Sequence, residues 1–133
     1  MAKAKAAATS TPGVVVFAAV VLFVIGGLHA IQAVGELADN TWTLESDNGI
    51  FNDDLWAWGI IDGILAVLLI TGGVSLLAGA PYGRWIAIIW SIFAAIRWLY
   101  WIPAAPLFSV VALVIAMVVL YAATVYPEHF EKR

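Results

Sequence analysis

The chain has 133 residues, of which 64% are hydrophobic and 11% charged, with a formal net charge of -3 and a mean hydropathy of +0.99. Soluble domains carry about 25% charged residues, so this composition favours a membrane protein. The acidic balance excludes a basic surface for nucleic acid, and the absence of cysteine excludes disulfides, thiolate chemistry and iron–sulfur clusters.

Four apolar runs follow one another along the chain, each about as long as a helix that crosses a hydrocarbon core about 30 Å thick. The first run is too long for a signal-peptide core and is not followed by a convincing cleavage site, so we expect it to be retained. The predicted fold is therefore an all-α membrane protein with four transmembrane helices in an antiparallel bundle. The segments, in chain order, are a tail over 1–12, helices over 13–34, 54–77, 82–101 and 105–126 within one domain over 13–126, and a second tail over 127–133.

The connections predict how these helices are arranged. Residues 78–84 and 103–106 are short and rich in helix breakers, so consecutive helices should pack antiparallel. The long loop over 36–54 contains six acidic residues and no basic one, whereas five basic residues fall on the opposite side: Lys3, Lys5, Arg84, Lys132 and Arg133. The positive-inside rule therefore predicts that this loop lies outside and that both termini lie in the cytoplasm.

The outer loop has a pattern of its own. A β-prone stretch from Thr41, an Asn48-Gly49 turn and the apolar pair Ile50-Phe51 predict a short hairpin-like structure. The acids near this turn do not have the spacing of a calcium-binding EF-hand loop, so calcium is not favoured.

Several landmarks occur in a fixed order along the chain: Leu-Trp-Ala-Trp-Gly at 55–59, Gly-Arg-Trp at 83–85 and Pro-Ala-Ala-Pro-Leu-Phe-Ser at 103–109. In this order the chain resembles, over about residues 13–126, a four-helix integral membrane family seen mainly in actinobacteria and catalogued as a domain of unknown function. The resemblance implies a four-helix membrane fold in a bacterial plasma membrane. It implies no activity and assigns no functional residue.

A small set of polar residues lies inside the predicted helices, where charged groups are costly and are therefore candidates for function. Counting 1.5 Å per residue places His29 and Asp62 about 8 to 12 Å below the outer ends of their helices, and Arg97 about 6 Å below its own. Gln32 and Glu36 follow His29 by three and seven residues, so these three share one helix face. The candidate intramembrane polar cluster comprises His29, Gln32, Asp62 and Arg97.

Three interpretations of this cluster remain open at the level of sequence. In the first interpretation, the cluster is a ligand or proton site with aromatic walls, in which Asp62 and Arg97 pair and His29 titrates. Alternatively, Asp62 and Arg97 form a structural ion pair, Arg97 extends toward the outer surface, and His29 donates a hydrogen bond to a neighbouring carbonyl. In the third interpretation, these groups contact polar residues of a partner subunit.

No pattern in the chain predicts catalysis, a metal site or a cofactor. His29 and His129 fall at opposite ends of the predicted bundle, so a haem with two histidine ligands is not favoured. Most of the seven tryptophans fall near the outer interface, where an aromatic belt is common, although a quinone or carotenoid on these rings is a minor alternative. We therefore expect a protein that is not an enzyme.

Gly59 and Gly63 form a G-x-x-x-G motif, which predicts close helix packing either within the bundle or between protomers. Small size and the lack of catalytic groups favour an accessory or scaffold subunit that binds other membrane proteins or a second copy of itself within the bilayer. The alternative is a small transport, sensing or lipid- or ligand-binding protein with a polar pocket in the outer half of the bilayer.

Overall fold

The structure, a computed structural model, describes residues 11–38 and 55–131, and the predicted hairpin near residues 41–51 lies outside this part of the chain. As predicted, every regular element in the described residues is helical. The four long helices begin and end within a few residues of the predicted bounds. The elements are α1 (Gly13–Leu37), α2 (Leu55–Leu77), α3 (Pro81–Trp101), α4 (Pro106–Val125) and the short α5 (Pro127–Phe130).

Proline marks the start of three of these helices. Pro81, Pro106 and Pro127 each lie in the first turn of a helix. Proline suits this position because its φ angle is already helical and because the amide hydrogen that it lacks would have no partner in the helix. These residues therefore fix where α3, α4 and α5 begin.

The turn between α2 and α3 depends on a glycine. Gly79 has a φ of +72°, the left-handed conformation that glycine adopts most easily. The Ala80 amide donates to the Ser75 carbonyl at 3.0 Å and the Gly79 amide to the Leu76 carbonyl at 3.1 Å, which is the Schellman pattern. Ser75 Oγ also accepts a hydrogen bond from the Gly83 amide at 2.9 Å, so α2 supplies a cap for the first turn of α3.

The four long helices form a closed bundle. α1 packs against α2, α2 against α3, α3 against α4, and α4 returns to α1. Along the α1–α2 contact, Gly26 faces Ile70, whereas Gly59 faces Leu37. Residues later in α1 thus contact residues earlier in α2, so these two helices are antiparallel.

The two ends of the bundle are packed differently. We name the end near Leu37 the acidic-loop end and the opposite end, near Phe130, the C-terminal end. Among the described residues, every buried apolar side chain larger than alanine lies toward the C-terminal end: Val15, Leu22, Leu69, Leu76, Val119 and Phe130. Nearer the acidic-loop end, the buried apolar residues are alanines such as Ala33 and Ala94.

The short helix α5 packs against the base of the bundle. Phe130 is only 2% exposed, and His129 Nε2 lies 3.1 Å from the Leu76 carbonyl, to which it donates. Residues 127–133 were predicted to be a tail, and the described part of this segment is a helix that contacts the α2–α3 turn.

Three helices are long and apolar enough to cross a membrane: α1, α4 and the part of α2 from Trp56 onward. Many large apolar side chains on the outside of the bundle are exposed, including Val34, Phe93 and Leu107. An apolar exterior of this kind suits contact with lipid and not with water.

Candidate functional site

The candidate site is built around a polar contact between α1 and α2. His29 Nδ1 lies 2.9 Å from Asp62 Oδ1, and the two side chains are 19% and 12% exposed. Because an ionised carboxylate only accepts hydrogen bonds, Nδ1 carries the hydrogen in this contact. His29 lies about 12 Å from the end of α1, so the pair is well inside the helical bundle.

Glu36 brings a second carboxyl group to this site. It lies two helical turns from His29 toward the acidic-loop end, and it is close enough to Asp62 for the two negative charges to repel each other. Its Oε2 atom is buried and has no hydrogen-bond partner among the described residues. A carboxylate oxygen buried without a partner costs free energy, which a proton or a hydrogen-bond donor would reduce.

Gln32 lies half-buried on α1 between these residues. It follows His29 by three positions and precedes Glu36 by four, so the three side chains share one face of the helix. Gln32 takes no part in the contact between His29 and Asp62. The face it occupies leads from that contact toward the acidic-loop end.

Arg97 is separate from this group. Its side chain is exposed, and its guanidinium carbon lies 5.9 Å from the ring centre of Trp98, which packs edge-on against Phe108. Within the described residues, the ion pair of Asp62 is formed with His29, so the structure does not form the predicted Asp62–Arg97 pair. The two residues lie at similar depth, but α3 turns Arg97 toward the outside of the bundle.

The two glycines of the G-x-x-x-G motif face α1 within the same chain. A Cβ atom added at Gly59 would lie 2.7 Å from Leu37 Cγ, whereas one added at Gly63 would lie 3.8 Å from the Ala33 Cβ atom. Gly59 therefore permits a close approach of the helices, and Gly63 leaves ordinary space. Both lie next to Asp62 along α2, so the small residues bring Asp62 close to His29.

Comparison with known proteins identifies a family. A family model described as a domain of unknown function, DUF7144, matches residues 14–128. The chain belongs to the DUF7144 family. No curated protein and no solved structure matches it. The match spans nearly all of α1 to α4, so His29, Glu36 and Asp62 all lie within the DUF7144 domain.

Metal binding by this DUF7144 site finds no support in the geometry. Within residues 11–38 and 55–131, no group of three or more histidine, aspartate or glutamate side chains is placed to hold a metal ion. His29 and Asp62 face each other directly, and Glu36 is displaced toward the helix end.

A second polar contact in the DUF7144 structure was missed by the sequence analysis. Arg84 Nε donates to the Ala123 carbonyl at 3.0 Å, and the guanidinium carbon lies 5.9 Å from the Phe130 ring centre. In a continuing helix the Ala123 carbonyl would accept from the amide four residues later, but that residue is Pro127, which has none. The sequence signal was therefore Pro127 itself, which predicts an unpaired carbonyl four residues earlier.

Proposed function

We propose that this DUF7144 protein is a four-span protein of a bacterial plasma membrane, with the acidic-loop end outside and both termini in the cytoplasm. α3 is less apolar than its neighbours, partly because Arg84 and Arg97 lie near its ends. Its 21 residues are nevertheless about 31 Å long, which is enough to span the hydrocarbon core. Short turns join it to α2 and α4, and both neighbours are apolar enough to cross.

The orientation is supported by charge. Arg84 lies at the C-terminal end, and the two lysines of residues 1–12 and the last two residues of the chain adjoin the same end through α1 and α5. The opposite end continues into the acidic stretch that follows Glu36. Positively charged loops favour the cytoplasmic side, so the acidic-loop end is assigned to the outside.

The function that this geometry supports best is sensing or ligand binding at the outer polar site formed by His29, Asp62 and Glu36. The observation that carries it is the buried, unpaired Oε2 of Glu36 beside an existing His29–Asp62 contact. A site made only for stability would not retain an unpaired buried acid, because such groups cost free energy. Among the described residues no group of side chains could hold a metal ion, and the sequence predicts no catalytic group, so we propose that the protein is not an enzyme.

Transport through the bundle is less well supported than sensing. Toward the C-terminal end the interior is filled by Leu22, Leu69 and Leu76, each no more than 2% exposed. A polar solute that reached His29 would meet this packed apolar core. The site therefore fits a protein that responds to the outside better than one that passes a solute across.

Water access from the outside tests the proposal, and the chain has no native cysteine to complicate labelling. We would prepare His29→Cys in intact cells and add a membrane-impermeant thiol reagent. Labelling is expected because a sensing or ligand site must be reached from outside. The matched control is Ile31→Cys, two residues away at similar depth but 55% exposed on the apolar surface, where lipid should prevent labelling.

The outcome has two informative alternatives. If neither cysteine reacts until the membrane is dissolved, the His29–Asp62 contact is a closed structural pair and the sensing proposal is wrong. If His29→Cys reacts only in inverted vesicles, the proposed orientation is wrong. Circular dichroism of both purified variants checks that the helices are intact.

An accessory or scaffold subunit is the second candidate function, and Arg97 favours it. Its guanidinium group is exposed within α3 and makes no ion pair among the described residues, so an acid on a partner subunit is one way to satisfy it. Native mass spectrometry after gentle extraction would reveal such a complex, which Arg97→Met should weaken. Recovery of monomers alone from the wild type would count against this candidate.

A further inference from the structure

We propose that the outer site binds a proton taken from the external water, on the Glu36 carboxylate beside the His29–Asp62 pair, and that the site is closed toward the cytoplasm. This inference rests on the proposed sensing function and names its ligand. The step is a simple protonation: the Glu36 carboxylate accepts a proton from a hydronium ion of the external water, whose O–H bond breaks and which leaves as water.

The first argument concerns Glu36 itself. Oε2 is buried without a partner in the described part of the chain, although the residue lies one position before the end of α1. This oxygen has lost hydration that no donor among the described residues replaces. Taking up a proton removes the charge and so removes most of this cost, and the water beyond the helix end is a nearby source.

The second argument concerns the charges that face Glu36. α1 contributes His29, and α2 contributes Asp62, whose carboxylate repels that of Glu36. The facing half of α4, residues 106–116, contains no titratable residue, and α3 turns Arg97 outward. A proton on Glu36 removes the repulsion between its carboxylate and that of Asp62.

The third argument concerns where the proton can go. From His29 and Asp62 to the C-terminal end, α1 and α2 have no titratable residue for about 20 Å. The buried Ser91 in the neighbouring helix donates to its own Ala87 carbonyl at 2.7 Å and is not free to relay. Leu22 and Leu69 fill the core at that level. The proton site therefore opens in one direction only.

The experiment uses the full chain in right-side-out vesicles whose interior pH is held constant. Infrared difference spectra recorded as the external pH changes report the protonated carboxyl band. Carboxyl bands that follow the external pH also include those of the five acids of residues 39–54. We therefore expect Glu36→Gln to lose one titrating carboxyl per chain from these bands, whereas Glu36→Asp, which keeps the acid, should retain the full number. Vesicles containing the protein should pass protons no faster than protein-free vesicles.

Several results would overturn the inference. An unchanged number of titrating carboxyls in Glu36→Gln would assign the proton to another group, and a Glu36 band that follows only the interior pH would place the opening on the other side. If Glu36→Gln does not fold, Glu36→Asp still tests the inference, because bands identical in frequency and pH dependence to those of the wild type would show that residue 36 does not titrate. Labelling of His29→Cys without any titration of Glu36 would leave the sensing proposal standing and reject the proton as its ligand.

Discussion

Replacing Gly83 by alanine is expected to destabilise the bundle, because this glycine is where α3 approaches the backbone of α2. A Cβ atom at Gly83 would overlap the Leu76 amide nitrogen and would lie 2.6 Å from the Gly72 carbonyl oxygen. These are backbone atoms of a helix and cannot rotate away as a side chain can. The clash is relieved only if the two helices separate.

The size of the effect follows from that separation. Ordinary contact begins near 3.4 Å, so α3 must move by about 0.8 Å or more, which stretches the 2.9 Å bond from the Gly83 amide to Ser75 Oγ. Overpacking costs about 1 to 3 kcal/mol and the weakened hydrogen bond about 1 kcal/mol. Alanine regains up to about 1 kcal/mol through its helix propensity, so the net loss is about 1 to 3 kcal/mol.

The matched control is Gly63→Ala, where the new Cβ would lie 3.8 Å from that of Ala33, in ordinary contact. This variant should be neutral or stabilised by up to about 1 kcal/mol. Reversible unfolding in mixed detergent micelles, followed by tryptophan fluorescence, measures both free energies. Equal stabilities for Gly83→Ala and Gly63→Ala would refute the close α2–α3 approach described for this bundle.

Two further predictions concern the C-terminal end. Phe130→Ala should lower the unfolding free energy by about 3 kcal/mol because the ring is buried. The control, Leu107→Ala at an 81% exposed position, should change the unfolding free energy little. Similar losses for the two variants in the same unfolding assay would contradict the packing of α5 against the bundle. Arg84→Met should cost about 1 to 3 kcal/mol, since it leaves the Ala123 carbonyl without a donor, and the exposed Arg97→Met should cost less. An equal loss for the two arginine variants would show that the Arg84 hydrogen bond does not contribute.

The long helices were predictable because their apolar runs are much longer than those of soluble helices and are separated by proline and glycine. The same signals placed Pro81 and Pro106 in the connections, within one residue of the predicted helix starts, and in the structure each is the first residue of its helix. Counting residues also placed His29 and Asp62 at the same level along their helices, and the structure brings these two side chains into contact. The helical character of α5 was not predicted, because four residues are too few to show a periodic pattern.

Which side chains meet was harder to predict than how deep they lie. His29 and Arg97 were both at a suitable depth to pair with Asp62, and depth alone does not fix the rotation of a helix about its axis. The rotation is set by where the helices approach most closely, as at Gly26 and Gly59, and these contacts turn Asp62 toward His29. A single sequence shows the glycines but not the surface that each one meets.

The uneven packing of the bundle has a mechanical consequence. Among the described residues, bulky buried side chains join the four helices near the C-terminal end, so this end acts as a pivot about which the rest of each helix can tilt. The segment of α1 from Leu22 to Leu37 is about 22 Å long, so a tilt of about 5° displaces its end by about 2 Å. A small tilt at this pivot therefore moves the helix end beside Glu36 by several times the roughly 0.5 Å spread of hydrogen-bond lengths.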